Sequence, residues 1–262
     1  MPESGSLIRF TENKNQWNKV ILYRAQLDGG ALWMQKDALT YSFYDKMAYR
    51  RNHMRSDDVP EEIRISGFDV KFIGANPEVT IKGSDPAKDY TNYFIGNNSS
   101  HWGTNARNFN RIQYTDLWKN INLEALGDDN SLKYNFYVKP GGNPKNIKLN
   151  YGRAESVSLK NKSLVVQTKL NEIVEHPPYA YQIINGEKKD VPCEYELKKN
   201  TLSFSFPDGY NKEYELIIDP VLVFACSSGS LADNFGMTAT YDEHGNLYSG
   251  GTAFANGFPV VN

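Results

Sequence analysis

Apolar and polar residues alternate along much of this chain, in short runs separated by turn residues. Residues 20–27 form one such run. Asp28-Gly29-Gly30 follows as a hairpin turn, and 31–35 returns as the partner strand. Residues 39–44 alternate again. Residues 46–62 break the pattern: they are charged, carry Pro60 and lack a sustained apolar stripe, so they read as a mobile insertion with a helical turn, and no helix longer than two or three turns is expected anywhere. Strand character resumes over 63–73 and 79–82, around a turn at Gly74-Ala75-Asn76-Pro77. Residues 90–110 read as a long irregular segment. Tyr93, Phe94, Trp102 and Phe109 pin it, between Gly96, Asn97, Asn98, Ser99, Ser100 and Gly103.

Beyond it, strands are expected over 112–114, 121–126 and 132–138, with a turn where Pro140, Gly141, Gly142 and Pro144 forbid a continuing ladder. Further strands fall at 147–151, 156–159, 164–168, 173–175, 179–184, 191–197, 201–206 and 214–218. This spacing predicts an all-β domain of the β-sandwich or meander kind over residues 1–220, closed by Asp219-Pro220. Residues 221–262 read differently. A strand-like run at 221–225 precedes Gly229 and Asp233, then a tight turn at Asp242-Glu243-His244-Gly245-Asn246. Leu247-Tyr248, Gly250-Gly251, Thr252 and Phe258-Pro259 complete the unit. It has the pattern of one β-propeller blade. A single blade cannot bury both faces of its own sheet, so the expected partners are further repeats downstream.

The chain has 262 residues and a formal net charge of −2. Arg50, Arg51 and Arg55 lie beside Asp57, Asp58, Glu61 and Glu62, so the densest basic patch is neutralised. Nucleic acid is not an expected partner, because phosphate binding needs a concentrated basic field. No apolar run reaches the ~18 residues of a membrane span. The first ten residues have neither the basic nor the apolar segment of a signal peptide, which fits a cytoplasmic protein or a secreted one whose signal has been removed. Cys193 and Cys226 fit one disulfide across the junction of the two units, or two buried thiols.

Candidate chemistry is sparse. His53 lies in the charged insertion, His176 precedes Pro177-Pro178, and His244 sits in the closing hairpin turn. None has zinc-ligand spacing, and there is no GxSxG or phosphate loop. Asp128-Asp129 with Asn130 is too short for a calcium loop, as are Asp57-Asp58 and Glu61-Glu62. No catalytic residue, metal or cofactor is expected. Binding is the better fit. Trp102 with Tyr93, His101, Asn97 and Asn98 combines ring faces and amides, the chemistry that holds sugars, with Trp33 and Trp118 as companions. The competing reading is that these aromatics fill the core of an irregular β-domain.

Several phrases carry a family resemblance: FTENKNQW at 10–17, NYFIGNNSSHW at 92–102, INLEALG at 121–127 and LKYNFYVKPGGNPKNIKLNYG at 132–152. EHPPYAYQ at 175–182 and LIIDPVLVF at 216–224 complete the set. Nearly the whole chain resembles the N-terminal domain of uncharacterised function that precedes SBBP-type β-propeller repeats in bacterial secreted proteins. The last stretch resembles the first such repeat, through Asp233, Asp242, Gly245, Asn246, Tyr248, Gly251, Thr252, Phe258 and Pro259. Two departures stand out. Lys14-Asn15 occupies a place where the family prefers glycine, and Asn135 replaces an aspartate. The resemblance implies a secreted or cell-surface protein of many domains, with many relatives in the Bacteroidetes that use the type IX secretion system. The implied function is a non-enzymatic module for display, adhesion or assembly, with a surface glycan or surface protein as partner. The alternative is a carbohydrate-recognition module of a secreted polysaccharide-processing protein.

Overall fold

A computed structural model describes residues 8–54, 62–128, 131–225, 234–241 and 247–253. Cys226, Asp233, the turn at 242–246, Phe258 and Pro259 lie outside the described residues, as do Asp57, Asp58, Glu61, Asp129 and Asn130.

β1 (Phe10–Glu12) is short. β2 (Tyr23–Leu27) and β3 (Gly30–Met34) form the expected hairpin about Asp28-Gly29, where Gly29 takes the left-handed φ of +71° that the turn requires. β4 (Ala38–Tyr44) and β5 (Ile65–Phe72) continue the meander. Between them the charged insertion opens with α1 (Lys46–Met54). Asp45 starts this helix by accepting the backbone N–H groups of Met47 (3.1 Å) and Ala48 (3.0 Å), and Arg64 holds its other oxygen at 2.7 Å.

β6 (Thr80–Tyr93) and β7 (Gly103–Trp118) make a long hairpin. This corrects the expectation of an irregular stretch over 90–110. Only 94–102 is irregular, with a 3-10 turn at Ser99–His101. The pattern hid the strand because β6 is half-buried or exposed along its whole length, so nothing forces apolar alternation. Register shifts between Pro86 and Tyr90, and between Thr91 and Tyr93, further blur the period.

β8 (Ile121–Asp128) and β9 (Ser131–Val138) follow as a hairpin, then β10 (Leu149–Gly152), β11 (Ser156–Lys160), β12 (Ser163–Gln167) and β13 (Glu172–Glu175). β14 (Tyr179–Ile184) and β15 (Glu187–Val191) turn about Asn185-Gly186, both at positive φ. The single strand expected over 191–197 is therefore two pieces. Val191 ends β15, Pro192 interrupts, and β16 (Glu194–Lys198) begins a hairpin with β17 (Thr201–Ser205). β18 (Leu216–Asp219) and β19 (Val221–Ala225) flank Pro220. All these strands hydrogen-bond into one antiparallel sheet. β20 (Asn234–Tyr241) and β21 (Leu247–Ala253) form a separate hairpin.

The large sheet doubles over at β1, which bonds β2 along one edge and β7 along the other. The two halves then face each other and share one core. Phe72 meets Tyr114 edge-on at 5.9 Å, Phe136 meets Phe204 at 5.8 Å, and the Tyr114 hydroxyl donates to the Gln35 carbonyl at 2.9 Å. Phe10, Leu32, Ile112, Leu149 and Ile218 are fully enclosed.

A proline seam runs through the middle of this sheet. β13 pairs β19 up to Glu175–Leu222, and β14 pairs β18 from Tyr179–Asp219. Between those pairs, His176-Pro177-Pro178 opposes Pro220-Val221, three residues against two. Prolines cannot donate to a ladder, and here they sit where the ladder breaks. β9 bridges the break, pairing β18 at 136–138 and β19 at 132–133. The segment 221–225, expected to open the closing unit, is thus bonded within the first sheet, to β9 at Val221 and Leu222 and to β13 from Leu222 to Ala225.

Facing the core beside this seam is a buried acid. Glu175 is 3% exposed and accepts hydrogen bonds from the hydroxyls of Tyr134 (2.5 Å) and Tyr151 (2.7 Å), one from each half of the sheet. Tyr195 adds a third phenol beside the carboxylate, at a geometry that leaves its hydroxyl without a formed hydrogen bond. The adjoining cavity, about 10 Å³, holds no more than a single water. Burial raises the Glu175 pKa, and the phenol hydrogen bonds pull it the other way. The folded protein therefore holds this proton more tightly than the unfolded chain does. The associated stability is fully present below the ordinary carboxylate range and is lost as pH rises through the raised value. Glu175→Gln removes the titration. Urea midpoints measured from about pH 4 to about pH 8 should fall more steeply for the parent than for the Gln variant. Parallel profiles would show that Glu175 does not titrate across this range.

Candidate functional site

Two sequence phrases distant along the chain meet at one corner of the sheet: the segment after β1 and the segment joining β6 to β7. Asn13 organises the first. Its side-chain nitrogen donates to the carbonyls of Trp17 (3.2 Å), Asn18 (3.0 Å) and Ile21 (2.8 Å). Its oxygen accepts from the N–H groups of Asn15 (3.0 Å) and Trp17 (3.2 Å). Gln16 turns inward, buried, donating to the Glu12 carbonyl at 2.8 Å and accepting from Lys14 N–H at 2.5 Å. Asn15 can follow Lys14 because it adopts φ 82°, which asparagine tolerates. That explains how this chain does without the glycine the resemblance leads one to expect.

The second phrase packs onto the first. A Cβ on Gly103 would stand 2.3 Å from Gln16 Oε1, so any side chain there would force the Gln16 amide to move. Glu12 Oε1 accepts from the Arg107 N–H at 3.0 Å, and Asn92 Oδ1 accepts from Asn105 N–H at 2.8 Å. Trp17 meets Tyr93 edge-on at 5.2 Å and Trp33 at 5.7 Å. The Arg24 guanidinium lies 5.1 Å from the Trp33 ring centre and 5.9 Å from that of Trp17. Burial lowers the Arg24 pKa, and Tyr93 acts in the opposite sense. An open cleft of about 700 Å³ lies at this corner, lined by Asn15, Gln16, Trp17, Asn18, Lys19, Ser100 and His101.

The five residues singled out in the sequence do not form one constellation. Tyr93 and His101 belong to the Trp17 corner, Tyr93 against the indole and His101 on the cleft wall. Trp102 builds the hairpin tip instead. It meets Phe94 edge-on at 5.4 Å and donates its indole N–H to the Gly96 carbonyl at 3.1 Å. Asn98 caps the 3-10 turn, its oxygen accepting from Ser100 N–H (3.0 Å) and Oγ (2.8 Å), and Asn97 is exposed on the same tip. Of the two companions, Trp33 is half-buried at the corner and donates to Ser42 Oγ at 2.8 Å. Trp118 is a core residue, 3% exposed and bonded to the Ile73 carbonyl, so it takes no part in a surface site.

Trp17, Asn15, Asn18 and Lys19 were the residues missed. The signal lay in the run Asn13 to Lys19, where a tryptophan sits among amides and lysines, but its meaning depends on a segment far along the chain. Elsewhere, His176 is exposed at the proline seam. Cys193 is a free thiol whose pKa burial pushes up to about 12. Among the described residues, no group of three or more His, Cys, Asp or Glu is placed to hold a metal ion, and no helix is long and apolar enough to cross a membrane.

Asn13→Ala removes five hydrogen bonds at once. The expected cost is about 2 kcal/mol or more in a denaturation experiment, with faster hydrogen exchange at the amides of Asn15 and Trp17. Unchanged exchange at those amides would show that Asn13 does not hold the loop.

A family model described as Domain of unknown function (DUF7948) matches residues 10–221. No curated protein and no solved structure matches the chain. The matched span starts on the first residue of β1 and takes in both segments of the corner as well as the proline seam. The chain belongs to the DUF7948 family.

Proposed function

We propose that this chain is a non-enzymatic extracellular module of a larger secreted protein, serving display, adhesion or assembly at a bacterial surface. The observation that carries this reading is how the polypeptide leaves the domain. β19 is bonded by β13 along one edge and by β9 along the other. β9 holds Val221 and Leu222, and β13 stays paired with β19 as far as Ala225, so the strand is hydrogen-bonded up to its last residue. A neighbouring unit attached there starts from a strand bonded into the sheet, which suits a foundation for a series of repeats.

Two further features support the same reading. The β20–β21 hairpin falls in the part of the sequence that resembles an SBBP-type repeat, a unit that needs neighbours to cover its faces. Glu175, whose proton affinity burial raises, is sealed among core phenols where it serves packing. The secretion route we infer is the type IX system, and the nearest partners are repeats that follow in the same polypeptide. An antibody against this domain should label intact cells of the source bacterium, and the protein should stay inside cells in which type IX secretion is disabled. Labelling only after lysis would overturn the reading, as would catalytic turnover traced to the domain itself.

A further inference from the structure

The four tryptophans of the chain differ in what their indole N–H groups do. Those of Trp33, Trp102 and Trp118 are bound by Ser42 Oγ, the Gly96 carbonyl and the Ile73 carbonyl. The indole N–H of Trp17 has no acceptor among the described residues, and Trp17 is the tryptophan that lines the cleft. Its neighbours there share the property. The Asn15 side-chain amide, the Asn18 side-chain nitrogen, the His101 ring and the Lys19 ammonium make no hydrogen bond or ion pair among the described residues. The walls of this cleft are thus an aromatic platform surrounded by uncommitted donors and acceptors.

The platform is rigid. Tyr93 and Trp33 brace the indole edge-on, Arg24 lies across both indoles, and Asn13 fixes the backbone on either side of Trp17. A site held in place in this way loses little conformational freedom when it binds. Its volume, about 700 Å³, falls within the range of small-molecule sites. Uncharged amides outnumber charges along its walls, so the matching ligand carries many hydroxyls and apolar C–H faces, with little net charge. We propose that this cleft is a saccharide-binding site. Trp17 stacks on a pyranose ring and offers it an N–H, and Asn15, Asn18 and His101 exchange hydrogen bonds with ring hydroxyls.

This goes beyond the module reading above, which holds whether or not the cleft takes a sugar. The test applies the whole chain to an array of immobilised oligosaccharides and purified surface polysaccharides, then measures the bound sugars by calorimetry. Trp17→Ala should lower affinity at least about tenfold. Trp17→Phe keeps a ring without the N–H and should lose about fivefold. Asn15→Gly, which suits the left-handed backbone at this position, should lose a similar factor with an unchanged melting temperature. Trp102→Ala, on the hairpin tip, should bind within about twofold of the parent. The proposal fails if no saccharide binds at about 1 mM. It fails equally if Trp17→Phe and Asn15→Gly bind as tightly as the parent, or if Trp102→Ala alone abolishes binding.

Discussion

The structure turns on the ladder around Pro220. A strand inside a sheet must satisfy its N–H and C=O groups on both edges, and proline offers no N–H. At Pro220 the chain meets this by stepping from β18 to β19 without leaving β9. The opposing strand makes the same step across Pro177 and Pro178, with one residue to spare. The step lets the outer strands diverge: β14 carries β15, and β13 carries β12 and β11. It also brings Glu175, the last residue before the break, into the core, where Tyr134 and Tyr151 close over it from the two halves of the doubled sheet.

The corner that holds the cleft depends on the same doubling. β1 has three residues, yet it bonds β2 on one edge and β7 on the other. That pairing sets the segment from Asn13 to Lys19 beside Gly103 and His101. Thr11 and Asn108 reinforce the junction with a buried side-chain bond of 2.7 Å. The surface chemistry of the cleft is therefore a product of topology, since no one stretch of sequence contains it.

Much of the sheet was legible because one buried face imposes a period of two. β4 reads Ala-Leu-Thr-Tyr-Ser-Phe-Tyr, with Leu39, Tyr41 and Phe43 turned to the core. β15 was hidden for the opposite reason. Glu-Lys-Lys-Asp lies on an outer strand with no apolar face, and only the Asn-Gly turn before it gave a cue. Among the site residues, density of aromatics and amides drew attention to 93–102, yet it could not separate a ring that braces a turn, as Trp102 does, from one left with an open N–H. That difference is fixed by the Gly96 carbonyl at Trp102 and by the lack of any acceptor for Trp17 among the described residues. Asn135 shows how a departure from a familiar phrase gains meaning only in place. Oriented to donate, its amide reaches Asp219 Oδ1 at 3.0 Å, where a second aspartate would bring two carboxylates together.

The fit between Gln16 and Gly103 ties the histories of the two segments. A side chain added at 103 would press on the amide that shapes the loop of 12–16, so Gln16 would have to give up its hydrogen bonds or position 16 would have to shrink. Drift in either segment is thus tolerated best in step with the other. Relatives that exchange one of these residues should carry the compensating change, and a chimera that takes the first segment from one relative and the second from another should assemble this corner poorly.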